Sequence, residues 1–221
     1  DEEEKNGKAR NDFRWVDENV KLARLYLTPL AADAAGKREV KKIGDVGRHV
    51  SSFDWSPDGK RIAFAHVKSP VVDFWPTSDI SVVDVASGSV SVLAATEAAE
   101  ASPMFSPNGN FIAASVSDLP VRWAQSNRIA VYPAGGGSPR KMAASFDGQP
   151  NMIAWKPDNG RIMFSEAKGT GTALYEAIVA TGAVSESQYE NSVISGLTMT
   201  ADGSMYAFVT QNEATAPEVH V

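Results

Sequence analysis

The sequence contains no cysteine, only three histidines and no long hydrophobic run. The absence of cysteine excludes disulfides, thiolate metal ligands and cysteine nucleophiles. No apolar stretch approaches the roughly 18–20 residues that a membrane-spanning helix needs, so the sequence predicts no membrane insertion. Basic residues are not in excess either, because 21 Lys and Arg stand against 27 Asp and Glu and the net charge is −6. This charge argues against a nucleic-acid or anionic-membrane partner.

The sequence opens at Asp1, and residues 1–221 contain no basic and then apolar segment typical of a signal peptide. The compartment stays open between periplasm and cytoplasm, because exported proteins can lack cysteine too. What the sequence does contain is ordinary for a folded protein, with 43% hydrophobic and 22% charged residues. A length of 221 residues suits one all-β domain or two smaller domains.

A repeated motif predicts the fold. Trp55 and Phe105 lie 50 residues apart, as do Phe105 and Trp155, and each of these aromatic residues belongs to a similar stretch. In each copy an apolar residue follows seven positions later and another two positions after that, which is the alternation of a strand. The copies read FDWSPDGKRIAF at 53–64, PMFSPNGNFIAA at 103–114, IAWKPDNGRIMF at 153–164 and, in a weaker form, LTMTADGSMYAF at 197–208.

The middle of each motif predicts a tight turn between two strands. Proline fixes φ at the first corner, Asp or Asn bonds back to the backbone, and glycine supplies the positive φ that starts the return strand. In the third copy Asn159 takes the glycine position, and asparagine is the next most tolerant residue of left-handed φ. Each motif is therefore predicted to be a β-hairpin.

A second hairpin with glycine in its turn lies before the first motif and after each of the first three, which gives four strands, A to D, per period. Four such strands form the blade of a β-propeller. The predicted fold is therefore all-β, a β-propeller of four-stranded blades that is an incomplete part of a larger, seven- or eight-bladed ring. The alternative is a closed four-bladed ring in which the first half blade completes the last one. Within 1–221, we predict a solvated loop at 1–8, a half blade at 22–43, full blades at 48–95, 101–143 and 151–188, and a partial blade at 193–221.

The motif WSPDGKRIAF at 55–64 resembles the propeller repeats of two groups of proteins. One is the periplasmic TolB type. The other is the N-terminal propeller of the prolyl oligopeptidase family of serine peptidases, which includes dipeptidyl and acylaminoacyl peptidases. The segment 16–59, in which a basic–His–apolar sequence at 48–50 introduces the motif, looks more like the peptidase group. The resemblance extends from about Asp12 to the end of the sequence.

The resemblance to the peptidases implies a chain that works with a second domain. In that family an α/β-hydrolase domain follows the propeller and carries a Ser-Asp-His triad, with the serine in a Gly-x-Ser-x-Gly turn. This pentapeptide does not occur here, so no catalytic residue is predicted, and whether the chain belongs to an enzyme stays open. The implied role is to gate the access of short peptides. The implied partners are the hydrolase domain, the remaining blades of the same polypeptide and a short peptide substrate, with no cofactor.

Two other functions stay open. A TolB-like propeller would be non-enzymatic and would bind a protein partner on one face. A propeller enzyme with a site in its central channel would need clustered His, Asp or Glu side chains. His49, His66 and His220 are scattered without the spacing of metal ligands, so no metal site is predicted. Their positions also give no reason to expect a histidine to converge on a serine.

Two tryptophans outside the repeat indicate a candidate binding surface. Trp75 and Trp123 lie in the long loops between strands B and C, and Arg122 precedes Trp123. These loops emerge on one face of a propeller together with the connections from strand D to the next strand A, and binding residues are common on such loops. We predict that the three side chains face a substrate or partner. The alternative is that each tryptophan covers its own blade.

Glu97 and Glu100 lie in a D–A connection on the same predicted face. The resemblance to dipeptidyl peptidases implies a role for them, since those enzymes hold the substrate's amino terminus with acidic propeller residues. The two glutamates are three positions apart rather than adjacent. A solvated acidic loop is therefore the alternative.

The aromatic residues at the repeat positions are predicted to be structural. Trp55, Phe105 and Trp155 recur with the motif and should act as core wedges between blades. Burying such a ring contributes on the order of 3 kcal/mol. Trp55→Ala is therefore expected to weaken the fold.

Overall fold

The computed structural model describes residues 2–10 and 18–221. Asp1 and residues 11–17 lie outside the described residues, and with them the first two residues of the peptidase-like segment 16–59. The prediction of a loop at the start of the chain is wrong for the residues that follow Asp1, because Glu2–Lys8 form the helix α1. An exposed ion pair of 2.7 Å joins Glu4 to Lys8 one turn later, which is the spacing that supports a short helix.

The remaining described residues form short β-strands that pair antiparallel and are joined by turns and loops. A 3-10 helix, Val72–Thr77, lies in one of the loops. Within residues 2–10 and 18–221, no helix has the length and apolarity of a membrane span. The strands are β1 (Leu25–Leu27), β2 (Lys41–Ile43), β3 (His49–Trp55), β4 (Arg61–Val67), β5 (Asp79–Asp84), β6 (Val90–Ala94), β7 (Glu100–Phe105), β8 (Phe111–Ser117), β9 (Asn127–Pro133), β10 (Arg140–Lys141), β11 (Asn151–Trp155), β12 (Arg161–Lys168), β13 (Gly171–Ile178), β14 (Val184–Glu190), β15 (Val193–Met199), β16 (Tyr206–Gln211) and β17 (Glu218–His220).

The strands form separate sheets in chain order. β3 to β6, β7 to β10 and β11 to β14 each make a four-stranded sheet, which we call blades 1, 2 and 3. β15 to β17 make a three-stranded sheet, blade 4, and β1 pairs with β2 alone as a half blade. The prediction of an all-β fold of four-stranded blades is confirmed. The half blade shares no sheet with blade 4 in the described part of the chain, so the sheets do not close into the alternative four-bladed ring.

The turns between strands A and B have the predicted chemistry and also join neighbouring blades. Asn159 has a φ of 59°, and its side-chain oxygen accepts the backbone N–H of Asn108 in the preceding turn at 2.8 Å. Gly203 has a φ of 71° and lies so close to the preceding turn that an added Cβ would stand 2.9 Å from Cδ of Pro157. The residue in this position therefore contacts the preceding turn as well as providing left-handed φ.

The core lies between the blades rather than inside any one of them. Ile129 and Val131 of blade 2 pack with Ile162 and Phe164 of blade 3 in one buried cluster. A second buried cluster joins the half blade to blade 1, and a third joins blade 1 to blade 2. Each blade is therefore stabilised chiefly by its neighbours, since a single sheet cannot bury both of its faces.

The prediction of core wedges holds for two of the three aromatic residues and is wrong for Trp55. Phe105 and Trp155 are buried, whereas Trp55 is 42% exposed. The indole N–H of Trp155 donates to the carbonyl of Met104, in strand A of the preceding blade, at 3.0 Å. In the described residues the half blade before Trp55 has only two strands, which cover Phe64 and the outer part of blade 1. No strand A lies against Trp55 there, so Trp55→Ala should weaken the fold much less than expected.

Candidate functional site

One end of the blades carries the long loops that the sequence singled out, and we call it the loop face. Antiparallel strands bring the B–C loops and the D–A connections to this same end. Backbone bonds across it join successive loops, such as Glu100 N–H to the Ser78 carbonyl at 2.8 Å and Asn127 N–H to the Gly148 carbonyl at 2.6 Å. The loop face consists of the B–C loops 68–78, 118–126, 169–170 and 212–217 and the D–A connections 44–48, 95–99, 142–150 and 191–192.

The two tryptophans that lie outside the repeat contact each other across neighbouring loops. Trp75 stands in the 3-10 helix of blade 1, where the Thr77 hydroxyl donates to the Phe74 carbonyl at 2.7 Å. Its ring centroid is 5.7 Å from that of Trp123 in blade 2, with the planes tilted by 58°. This is a favourable aromatic geometry. Trp75 is half-buried and Trp123 is 67% exposed, so the pair presents part of its aromatic surface at the loop face.

Other exposed side chains in the same two loops extend this surface. Val72 and Leu119 are both exposed. Arg122 is held by Asp118, whose Oδ2 accepts from the guanidinium at 2.9 Å. Such a surface ion pair contributes at most about 1 kcal/mol to stability. Exposed apolar side chains on neighbouring loops are typical of binding surfaces, and we call Val72, Trp75, Leu119, Arg122 and Trp123 the tryptophan patch.

The two glutamates of the D–A connection differ in exposure. Glu97 is exposed in the loop, as predicted. The expectation of a solvated or substrate-facing Glu100 is wrong, because Glu100 is the first residue of β7 and is fully buried. Its Oε1 accepts the hydroxyl of Thr96 at 2.5 Å, and its carbonyl accepts the hydroxyl of Ser78 at 2.6 Å. The strand begins one residue earlier than predicted and draws this side chain between blades 1 and 2.

The environment of Glu100 favours its protonated form. Burial raises its pKa, and the negative charge of Asp79 adds to this effect, while Thr96 and Lys141 oppose it. Its Oε2 is buried and has no hydrogen-bond partner among the described residues. Burial, together with the charge of Glu100, raises the pKa of Tyr132 to about 12. A buried carboxyl group with one free oxygen is stable when it holds a proton.

Replacing Glu100 by glutamine is therefore expected to stabilise the protein at neutral and basic pH. Because the folded-state pKa is raised, the contribution of Glu100 to stability is fully present below the unfolded-state pKa and is lost as pH rises through the folded-state pKa. The neutral amide avoids that loss, and we expect a gain of about 1 kcal/mol at pH 8 that disappears near pH 4. Urea unfolding from pH 4 to 8 measures it.

The matched control is Glu97→Gln, which removes a charge from an exposed position in the loop that precedes β7. Its effect on the free energy of unfolding should stay within about 0.5 kcal/mol at every pH. If Glu100→Gln follows the same flat profile, Glu100 is ionised without strain in the folded protein. The raised pKa of Glu100 in the folded protein would then be wrong.

A third glutamate on the loop face escaped the sequence reasoning. Glu166 is buried in strand B of blade 3. It accepts the hydroxyl of Ser145 and the backbone N–H groups of Asp147 and Gln149, the latter two at 3.0 and 2.9 Å. These bonds hold the connection 142–150 in place. The sequence did contain a sign of this burial, because Glu166 follows Ile162 and Phe164 at the strand period of two and so lies on the apolar face of the strand.

A polar cleft of about 430 Å³ opens between the loops of blades 3 and 4. Its volume lies in the range of small-molecule sites. Amide side chains can both donate to and accept from a peptide backbone, so this cleft suits an extended peptide. It is lined by Thr170, Asn191, Ser192, Val193, Gln211, Asn212, Glu213 and Ala214.

One histidine does lie beside a serine, against expectation. His66 Nε2 is 2.8 Å from Ser81 Oγ across strands B and C of blade 1. Both residues are buried, at 5% and 1% exposure, and His66 Nδ1 has no partner in the described ranges. Burial lowers the pKa of His66, although Asp79 opposes this. A nucleophile needs an accessible hydroxyl and a base oriented by a third group, so this pair is structural.

Known proteins similar to this chain include propeller domains and peptidases. The family described as the TolB beta propeller domain matches residues 11–221. Dipeptidyl-peptidase 5 of Porphyromonas gingivalis is 29% identical over 138 residues, which are 61% of this chain and 20% of that protein.

Within the described ranges, no group of three or more His, Cys, Asp or Glu residues is placed to hold a metal ion.

Solved structures share the fold at low sequence identity. TolB from Acinetobacter baumannii has a TM-score of 0.60 at 20% identity, covering 85% of this chain and 44% of that one. A putative dipeptidyl aminopeptidase IV from Bacteroides ovatus has a TM-score of 0.55 at 12% identity, covering 83% of this chain and 37% of that one. This chain therefore spans less than half the length of each of these three relatives.

Proposed function

The chain belongs to the TolB beta propeller domain family, and on that premise we propose that it is the propeller part of a serine peptidase of the prolyl oligopeptidase family. There it controls the access of short peptides to an α/β-hydrolase domain of the same polypeptide. The observation that carries this proposal is the similarity to dipeptidyl-peptidase 5 at 29% identity over 138 residues. The fold alone would not license a function.

The loop face supports the proposal because it combines the two kinds of surface that a peptide needs. The amide side chains of the polar cleft suit the peptide backbone. The tryptophan patch offers apolar contact area to a side chain or to the adjoining domain. We assign substrate or partner contact to Trp75, Glu97, Arg122 and Trp123. Glu100 is left out because its carboxyl group is buried.

In this proposal the chemistry belongs to the hydrolase domain. Acyl transfer needs an activated nucleophile, a base within about 3 Å and donors for the oxyanion. In the described residues the Ser81–His66 pair comes nearest to this arrangement, and it is enclosed between strands. The propeller would control which peptides enter and how they bind. Changes in it should therefore alter KM more than the rate of acylation.

The test compares the 221-residue chain with the full-length gene product, using chromogenic aminoacyl and Xaa-Pro substrates and a fluorophosphonate label. We expect label and turnover in the full-length product and neither in the chain alone. In the full-length product Trp123→Ala should raise KM several-fold and leave kcat unchanged. The matched control is Val92→Ala, because Val92 is as exposed as Trp123 but lies on the outer strand β6. Labelling of the isolated chain would contradict the proposal.

The alternative function is a non-enzymatic propeller that binds a protein partner. The exposed tryptophan patch favours it as well, and TolB from Acinetobacter baumannii shares the fold. A full-length product that takes up no fluorophosphonate and hydrolyses no peptide would favour this alternative.

A further inference from the structure

A second cleft lies at the opposite end of the blades from the loop face. It has a volume of about 490 Å³ and opens between the outer part of blade 2 and the C–D turn of blade 3. The function proposed above does not use it. Its lining includes Phe111, Val131, Pro133, Arg140, Val179 and Ala180.

The floor of this cleft is apolar for a reason of strand register. Phe111 pairs with Pro133, and Val131 pairs with Arg140. Paired residues on antiparallel strands project from the same face of a sheet, as do alternate residues of one strand. The four side chains therefore share the face of blade 2 that packs on blade 3, where Val131 belongs to the buried cluster.

The opposite wall is fixed by contacts between the two blades. The Ala143 N–H donates to the Gly182 carbonyl at 2.7 Å. A Cβ added to Gly182 would stand 3.3 Å from the Lys141 carbonyl. The C–D turn of blade 3 is thus held against the outer strand β10, and the adjoining Val179 faces the apolar floor across a preformed opening.

Arg140 gives the cleft its charge. No acidic residue lines the cleft, and Arg140 has no ion-pair partner among the described residues. An unpaired guanidinium beside apolar walls is complementary to a carboxylate attached to an apolar group, because the planar fork binds both carboxylate oxygens. An opening of this size suits one such group.

From this geometry we infer that the cleft is a second binding site, which takes a small apolar carboxylate. The Arg140 guanidinium holds the carboxylate, and Phe111, Val131 and Val179 contact the apolar part. Two sources share this chemistry, namely the C-terminal residue of a peptide and a free apolar acid.

The test uses 4-phenylbutyrate as the probe in calorimetric titration of the 221-residue chain, with the neutral 4-phenylbutyramide and acetate as controls. We expect phenylbutyrate to bind at least ten-fold more tightly than either control. Shifts in the amide NMR spectrum should centre on β9, β10 and residues 179–180. N-acetylphenylalanine mimics the C-terminal residue of a peptide and distinguishes the two sources. Tighter binding than that of phenylbutyrate indicates a peptide end, and weaker binding indicates a free acid.

Two variants and a matched control locate the site. Arg140→Gln should weaken phenylbutyrate binding at least ten-fold without changing the amide's affinity, and Ala180→Phe should block both by filling the cleft. Arg128→Gln removes an exposed arginine from the opposite face of β9 and should leave binding unchanged. Equal affinity for phenylbutyrate and its amide would overturn the inference. So would an Arg140→Gln variant that binds as the parent does.

Discussion

Trp155→Ala should lower the free energy of unfolding by about 3–5 kcal/mol, the range for truncating a buried aromatic side chain. Trp155 is 5% exposed, belongs to the cluster between blades 2 and 3, and donates its indole N–H to the Met104 carbonyl. Removal of the ring leaves a cavity between blades 2 and 3 and leaves the Met104 carbonyl without its hydrogen bond. Urea unfolding followed by far-UV circular dichroism measures the loss.

The same substitution at Trp55 is the matched control. Trp55 occupies the same motif position in blade 1 but is 42% exposed. We expect Trp55→Ala to lower the free energy of unfolding by about 1 kcal/mol, because the removed ring leaves little cavity. Equal losses at the two positions would mean that Trp55 is covered in solution. The proposed difference between the blades would then be wrong.

Arg61→Ala should lower the free energy of unfolding by about 2 kcal/mol through loss of a contact between blades 1 and 2. The Arg61 guanidinium donates to the carbonyls of Ala134 at 3.1 Å and Gly109 at 3.0 Å. It also lies 5.5 Å from the centroid of the Phe105 ring. Partly buried hydrogen bonds from a charged donor contribute about 1.5–3 kcal/mol, and the ring contact adds to them.

Arg161→Ala supplies the comparison, since Arg161 occupies the same motif position in blade 3. Its guanidinium bonds to Asp158 and Glu176 within its own blade and is 45% exposed. Such surface pairs contribute at most about 1 kcal/mol. Urea unfolding of the two variants measures both losses in the free energy of unfolding, and we expect the larger loss for Arg61→Ala. A loss at Arg161 that matches or exceeds the loss at Arg61 would show that these inter-blade bonds add no stability.

The fold could be predicted from the sequence because the information for it is local and repeated. The Pro-Asp-Gly turn and the alternation around Ile62 and Phe64 depend only on neighbouring residues, and four copies confirm one another. The exposure of Trp55 could not be foreseen from the motif. It depends on which strands lie in the preceding sheet, and those strands are not part of the repeat.

The candidate site was less predictable because its residues come from loops of irregular length. The B–C loop of blade 1 runs from 68 to 78, and a loop of this length does not fix the register of the next strand. The contact between His66 and Ser81 therefore could not be read from the sequence. The position of Trp75 beside Trp123 was equally hidden, although both had been recognised as lying outside the repeat.

The contacts between successive A–B turns have a geometric consequence for the whole ring. In a propeller the blades are arranged in a ring around a central axis. The spacing between neighbouring blades and the rotation from one blade to the next therefore determine how many blades close the ring. At Gly203 that spacing leaves no room for one more carbon beside Pro157. A bulkier residue there would push the A–B turn of blade 4 away from that of blade 3. The glycine at position 203 thus sets how closely blade 4 approaches blade 3, which is one of the distances on which ring closure depends.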